Sequence, residues 1–118
     1  MPGKTENLDI LRRLVGRKVL HAALTAVPDG LAILEDGVRL RCPVGVTHQL
    51  SDSIHTTPPR ATRTGVTGAV VVGTDHALPV EYGTHDRPAE PFVRPTSDID
   101  GPRAVRATRA TFLREVSR

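Results

Sequence analysis

Residues 67–95 read TGAVVVGTDHALPVEYGTHDRPAEPFVRP, and the change of texture along them decides the fold. The opening stretch, 67–74, is β-branched and bounded by glycines, which predicts a strand. Residues 78–82 suit a second strand or a sheet edge, and together the two predict a small antiparallel sheet. Residues 84–95 contain Pro88, Pro91 and Pro95. Each proline lacks a backbone N–H and restrains the residue before it, so an extended, stiffened loop is expected there.

Upstream of this stretch the chain reads as helix. Leu8, Leu11, Val15 and Val19, with Leu14 beside them, recur at three- and four-residue steps from Thr5 to about Ala26, and Thr5 suits an N-cap. Beyond Pro28 and Gly30 a second helical pattern places Leu31, Leu34, Val38 and either Leu40 or Cys42 on one face, with Glu35, Asp36 and Arg39 toward water. Pro28 is therefore either a kink in one helix or a boundary between two, and Pro43 ends the pattern. Residues 44–67, rich in Thr, Ser, Pro and Gly, read as loop with at most short strands around 50–56. Downstream, Gly101 and Pro102 open a last helix that carries Val105, Thr108, Phe112 and Val116 as its apolar stripe. The expected architecture is α+β in one domain over residues 1–118: an N-terminal helical region, a small antiparallel β-sheet, a proline-rich loop and a C-terminal helix.

Composition narrows the function. With three aromatic residues, Tyr82, Phe92 and Phe112, the core must be built from aliphatic side chains, and a thin core favours burial against further copies. The single Cys42 excludes an internal disulfide and multi-cysteine zinc motifs, and suits a reducing cytoplasm. The start, MPGKTENLDILRRL, has no signal-like apolar run, and the longest apolar stretch, GAVVVG at 68–73, is far short of the roughly 20 residues a membrane span requires. A soluble, unsecreted protein is expected, with no membrane partner. The net charge of +3 is low for a dedicated nucleic-acid binder. Five arginines crowd residues 101–118 against one acid, Glu115, and Arg103, Arg106 and Arg109 fall three apart, near one helix face. This block is a solvated face, a docking surface for an acidic neighbour or a DNA-facing stripe.

No catalytic, cofactor or metal site is expected. Asp75, His76, His85 and Asp86 lie in turn-like segments without a supporting metal-ligand spacing, and Ser51, Ser53 and His55 lack the framing glycines of a nucleophile elbow. The chain also lacks a phosphate-cradling glycine loop.

The pieces Val72-Gly73, Val80-Glu81-Tyr82-Gly83-Thr84, Pro88-Ala89 and Pro91-Phe92-Val93-Arg94-Pro95 resemble the signature of the tail-completion, or head-to-tail joining, proteins of long-tailed bacteriophages. The likeness extends upstream through Cys42-Pro43-Val44, Thr47 and Leu50-Ser51-Asp52-Ser53-Ile54, with Thr47-His48 standing where the family has Thr-Gly. The resemblance implies a non-enzymatic virion protein of the neck, assembled in host cytoplasm. It would form a hexameric ring between the head-completion protein and the tail terminator or tail tube, with genomic DNA passing through without sequence-specific binding. A tail terminator or minor tail protein is the near alternative, and a small DNA-binding protein using the C-terminal helix the distant one. Within the segment Phe92 is an anchor for its own core or for a neighbour's pocket, and Glu81 and Arg94 are either solvated charges or a built contact. Tyr82, Gly83, Thr84, Pro91 and Pro95 complete the candidate interface.

Overall fold

A computed structural model describes residues 2–43, 49–73, 81–83 and 88–118, without the side chains of residues 2–8 and of Leu11. The fold is α+β: a long N-terminal helix, a small antiparallel two-sheet region and a C-terminal helix. Helix α1 (Pro2–Arg41) is continuous through Pro28, so the two helical patterns are one helix of roughly 60 Å. It begins before Thr5, which lies inside rather than capping it. It stops at Arg41, just before Cys42 and Pro43, as the restraint on a residue preceding proline dictates. Of the two alternatives on its second stripe Cys42 is buried, whereas Leu40 is 80% exposed.

One helical turn, α2 (Gln49–Asp52), leads into four short strands, β1 (Ile54–Thr56), β2 (Arg60–Thr62), β3 (Gly65–Thr67) and β4 (Val70–Val72). β1 pairs with β4, setting Ile54 opposite Val72, and β2 pairs with β3, setting Arg60 opposite Thr67. The arrangement is a long hairpin interrupted once. Pro58 and Pro59 have no N–H to offer the ladder, so it breaks there and again at Gly68-Ala69 on the return. Thr57 spans the break: its N–H donates to the Ala69 carbonyl at 2.8 Å and its hydroxyl accepts from the Ala69 N–H at 2.9 Å. The single strand expected over 67–74 is thus divided between the end of β3 and β4, and β4 pairs with residues 54–56. Glu81 and Tyr82 are helical, not extended, and residues 74–80 lie outside the described residues.

The last helix, α3 (Val93–Val116), starts eight residues earlier than Gly101 and takes in Pro95 and Pro102. Pro95 falls in its first turn, where an N–H has no intrahelical partner to lose. Pro102 does remove one hydrogen bond, but packing on α1 holds the helix together around it. The proline-rich segment is therefore irregular in its described part only over residues 88–92.

Helices α1 and α3 run antiparallel. Lys18 Nζ donates to the Arg118 carbonyl at 2.6 Å, the Thr111 hydroxyl to Asp29, and Arg41 to Asp100 at 2.6 Å, three tethers that descend one helix as they climb the other. Between them lies a seam of small groups, Ala22, Ala26, Gly30 and Gly37 on α1 against Thr96, Asp100, Ala104 and Thr111 on α3. This is not the stripe read from sequence: Val105 is 67% exposed, and Thr108, Phe112 and Val116 are half-buried. Close approach selects small side chains where hydrophobic periodicity looks for large ones. The second core lies at the other end of the molecule, where Phe92, Ile54, Val38 and Cys42 pack together under Leu50, Val70 and Val72. Burial there pushes the Cys42 thiol up from its ordinary pKa. Among the described residues no helix is long and apolar enough to cross a membrane.

Candidate functional site

The segment that carries the family likeness is organised around the start of α3. Phe92, immediately before the helix, offers no capping side chain, so the first-turn donors need an acceptor from elsewhere. Glu81 supplies it. Its Oε2 accepts from the Phe92 and Val93 N–H groups at 2.8 and 2.9 Å, and its Oε1 accepts from Arg94 N–H at 2.9 Å. Burial works to raise its pKa. The three N–H bonds and the nearby Arg94 charge outweigh it, so the carboxyl sits below its ordinary range. Gly83, at φ 81°, follows in the left-handed region that favours glycine and turns the chain away.

Glu81 therefore meets Arg94 through its backbone, while the Arg94 guanidinium lies over the Tyr82 ring, 5.5 Å from its centroid. Phe92 is fully buried in its own core, which closes the alternative of a neighbour's pocket. The Thr96 hydroxyl donates back to the Phe92 carbonyl at 2.7 Å. Of the candidate interface residues, Tyr82, Pro91 and Arg94 are exposed and Pro95 is half-buried. Thr84, together with the upstream motif residues Val44, Thr47 and His48, lies outside the described residues.

Glu81→Ala removes one acceptor from three donors at once. Uncompensated first-turn N–H groups, one of them buried, are expected to cost about 2 kcal/mol in urea unfolding, and Glu81→Gln, which keeps an oxygen but no charge, about 1 kcal/mol.

A second cluster, with no signature in the local residue pattern, lies beside this one. Arg41 Nη1 bonds Asp100 at 2.6 Å and the Thr96 hydroxyl at 3.2 Å, and Arg103 approaches Asp100 at 3.4 Å. The hydrogen bond from Arg41 is the main reason the Asp100 carboxyl lies below its ordinary pKa; burial opposes it, and the Arg41 and Arg103 charges reinforce it. Both carboxylates, Glu81 and Asp100, are depressed on folding. The unfolded chain thus takes up protons first as pH falls. Their stabilisation is complete above the ordinary carboxylate range and is lost as pH drops through it toward the lowered folded values. Unfolding free energy should fall between pH 5 and pH 3, and the gap between wild type and Glu81→Gln should narrow over the same interval.

The basic surface is only partly committed. Arg103, Arg106 and Arg109 are all exposed on α3, but Arg103 is engaged with Asp100 and Arg109 lines an apolar groove between the helices. Ser53 donates its hydroxyl to the Leu50 carbonyl at 2.6 Å, and His55 Nδ1 lies against the Ser53 carbonyl at 2.9 Å, so the two are not arranged as nucleophile and base. Asp75, His76, His85 and Asp86 lie outside the described residues. Among the described residues no three His, Cys, Asp or Glu side chains gather as metal ligands.

Compared with known protein families, with curated proteins and with solved structures, the chain gives no match.

Proposed function

We propose that the chain is a structural subunit of a bacteriophage neck, a tail-completion protein whose copies form a ring between the head-completion protein and the tail terminator or tube. The observation that carries this reading is the division of labour within residues 81–95. Glu81 and Phe92 are consumed internally, one capping α3 and the other filling the core. They hold Tyr82, Pro91 and Arg94 outward on a frame stiffened by prolines and by the cap. A preorganised, exposed aromatic and arginine pair suits docking to a neighbour, since little freedom is left to lose on contact. The subunit's work in such a joint is mechanical: matched surfaces and a continuous channel, with no bond made or broken.

The test is a phage that bears a stop codon in this gene. Filled heads and finished tails that accumulate unjoined, and that join on addition of the purified protein, are the expected result. Normal virions would overturn the reading, and tails of irregular length would point to a terminator instead. Tight, steeply salt-dependent binding of short duplex DNA by the purified chain would favour the nucleic-acid alternative through Arg103, Arg106 and Arg109.

A further inference from the structure

We infer that Arg13, Arg17 and Lys18 of α1, with Arg114 and Arg118 at the end of α3, form a surface that binds the phosphate backbone of nucleic acid without reading its bases. The net charge of +3 conceals a separation. Residues 10–21 and 105–118 hold eight of the sixteen basic residues and one of the thirteen acidic ones, Glu115. The fold brings these two stretches together, because α3 ends beside Lys18, whose Nζ reaches the Arg118 carbonyl. Arg13, Arg17 and His21 are spaced by four, so they stand along one ridge of α1, and Lys18 is next to Arg17. All five cations are exposed. Among the described residues Arg13, Arg17, Lys18 and Arg114 make no ion pair. The neighbouring acids are otherwise engaged: Glu115, with 12% of its side chain exposed, faces Arg118 at 3.5 Å, and Asp29 accepts the Thr111 hydroxyl. Asp9 stands one turn before Arg13 and forms no ion pair with it.

Cations gathered with so few free acids call for a polyanion. From Arg13 to His21 the ridge covers about 12 Å, over which a duplex presents roughly seven phosphates, so the charges on the two sides are comparable in number. A protein partner fits less well, since charge is depleted from the centre of a protein interface. The two stretches contain no Asn or Gln, and Phe112 is half-buried. The usual reader of adenine and an open stacking platform are therefore missing, and the contact is with phosphate. Such sequence-blind binding differs from the tight binding through Arg103, Arg106 and Arg109 that would mark a DNA-binding regulator. It deepens the neck reading, in which DNA passes the ring, and rests on that reading only for where the DNA is met.

The experiment follows the fluorescence anisotropy of short labelled duplexes of two unrelated sequences with the purified full-length chain. Wild type is expected to bind both equally, in the micromolar range at low salt. About five phosphate contacts should weaken that binding several-hundredfold between about 50 and 200 mM salt. Arg13→Gln/Arg17→Gln should weaken it about tenfold or more and lower the salt slope by about 2. Circular dichroism should not change, since both side chains are exposed and Gln suits a helix. Two controls should leave binding intact: Arg94→Gln, which removes a charge at the opposite end of α3, and Leu14→Ala, which trims an exposed apolar side chain one turn before Lys18. A wild type that does not bind at low salt overturns the inference, as does binding that survives the double variant or falls equally in either control. Displacement by polyglutamate as readily as by unlabelled duplex of equal charge would also overturn it, and would point to an acidic protein instead. Any of these failures leaves the joining of heads and tails to test the neck reading by itself. Normal virions without this gene would sink that reading and leave the DNA contact standing.

Discussion

Phe92→Ala is expected to lower the unfolding free energy by about 3–5 kcal/mol, the usual cost of truncating a fully buried phenylalanine. The side chain has no exposed surface and lies among Val38, Cys42, Ile54, Leu50, Val70 and Val72. Apart from Cys42, just past the end of α1, these neighbours come from α1, α2, β1 and β4, so the cavity opens where four elements meet. No single element can shift to fill it without disturbing the others. Phe92 also sits directly before α3, its N–H on Glu81 and its carbonyl on Thr96. Those backbone bonds survive the substitution, which confines the loss to packing. Phe92→Leu, which conserves more of the volume, should cost about 1 kcal/mol. Urea unfolding followed by circular dichroism reads both, and against a total of about 5–15 kcal/mol for an ordinary domain the alanine variant would be barely folded. A stable Phe92→Ala protein that failed only in assembly would mean that the ring faces a neighbour after all.

How much of this was legible in the sequence depended on the size of the groups involved. α1 announced itself through apolar spacing, and the α+β class followed from the valine run bounded by glycines. Prolines misled in proportion to the weight given them. Pro95 reads as part of an extended loop and Pro102 as the opening of the last helix, yet Pro95 occupies a first turn and Pro102 lies inside a helix packed along its length. Glu81 was visible as an acid near Arg94, but capping from eleven residues upstream leaves no local signature. The available clue was the opposite one, a helix start at Val93 with no Ser, Thr, Asp or Asn before it. The N-terminal part of α1 illustrates a third limit. Val15 and Val19 have the spacing of a buried stripe, yet both are exposed, because α3 ends beside Lys18.

The least legible feature is also the source of the other large effect. Gly37→Leu is expected to destabilise the protein by about 3 kcal/mol, the upper range for overpacking a close contact. A Cβ at this position would stand 2.7 Å from Thr96 Cγ2 and 3.0 Å from Arg41 Nη1, and directly against Asp100 Oδ2. The carboxylate cannot simply swing aside, because Arg41 and Arg103 hold it. The larger side chain must then separate the helices or break the Arg41–Asp100 pair. Leucine is a better helix former than glycine by about 0.8 kcal/mol, too little to offset either. Gly16 provides the contrast within the same helix. Nothing lies within 4 Å of a Cβ built there, so Gly16→Ala keeps the propensity gain and should stabilise by about 1 kcal/mol. Thermal unfolding of the two variants side by side is expected to shift in opposite directions. If both substitutions raised the midpoint, the helices could not be in contact at Gly37, and the antiparallel seam between α1 and α3 would be wrong.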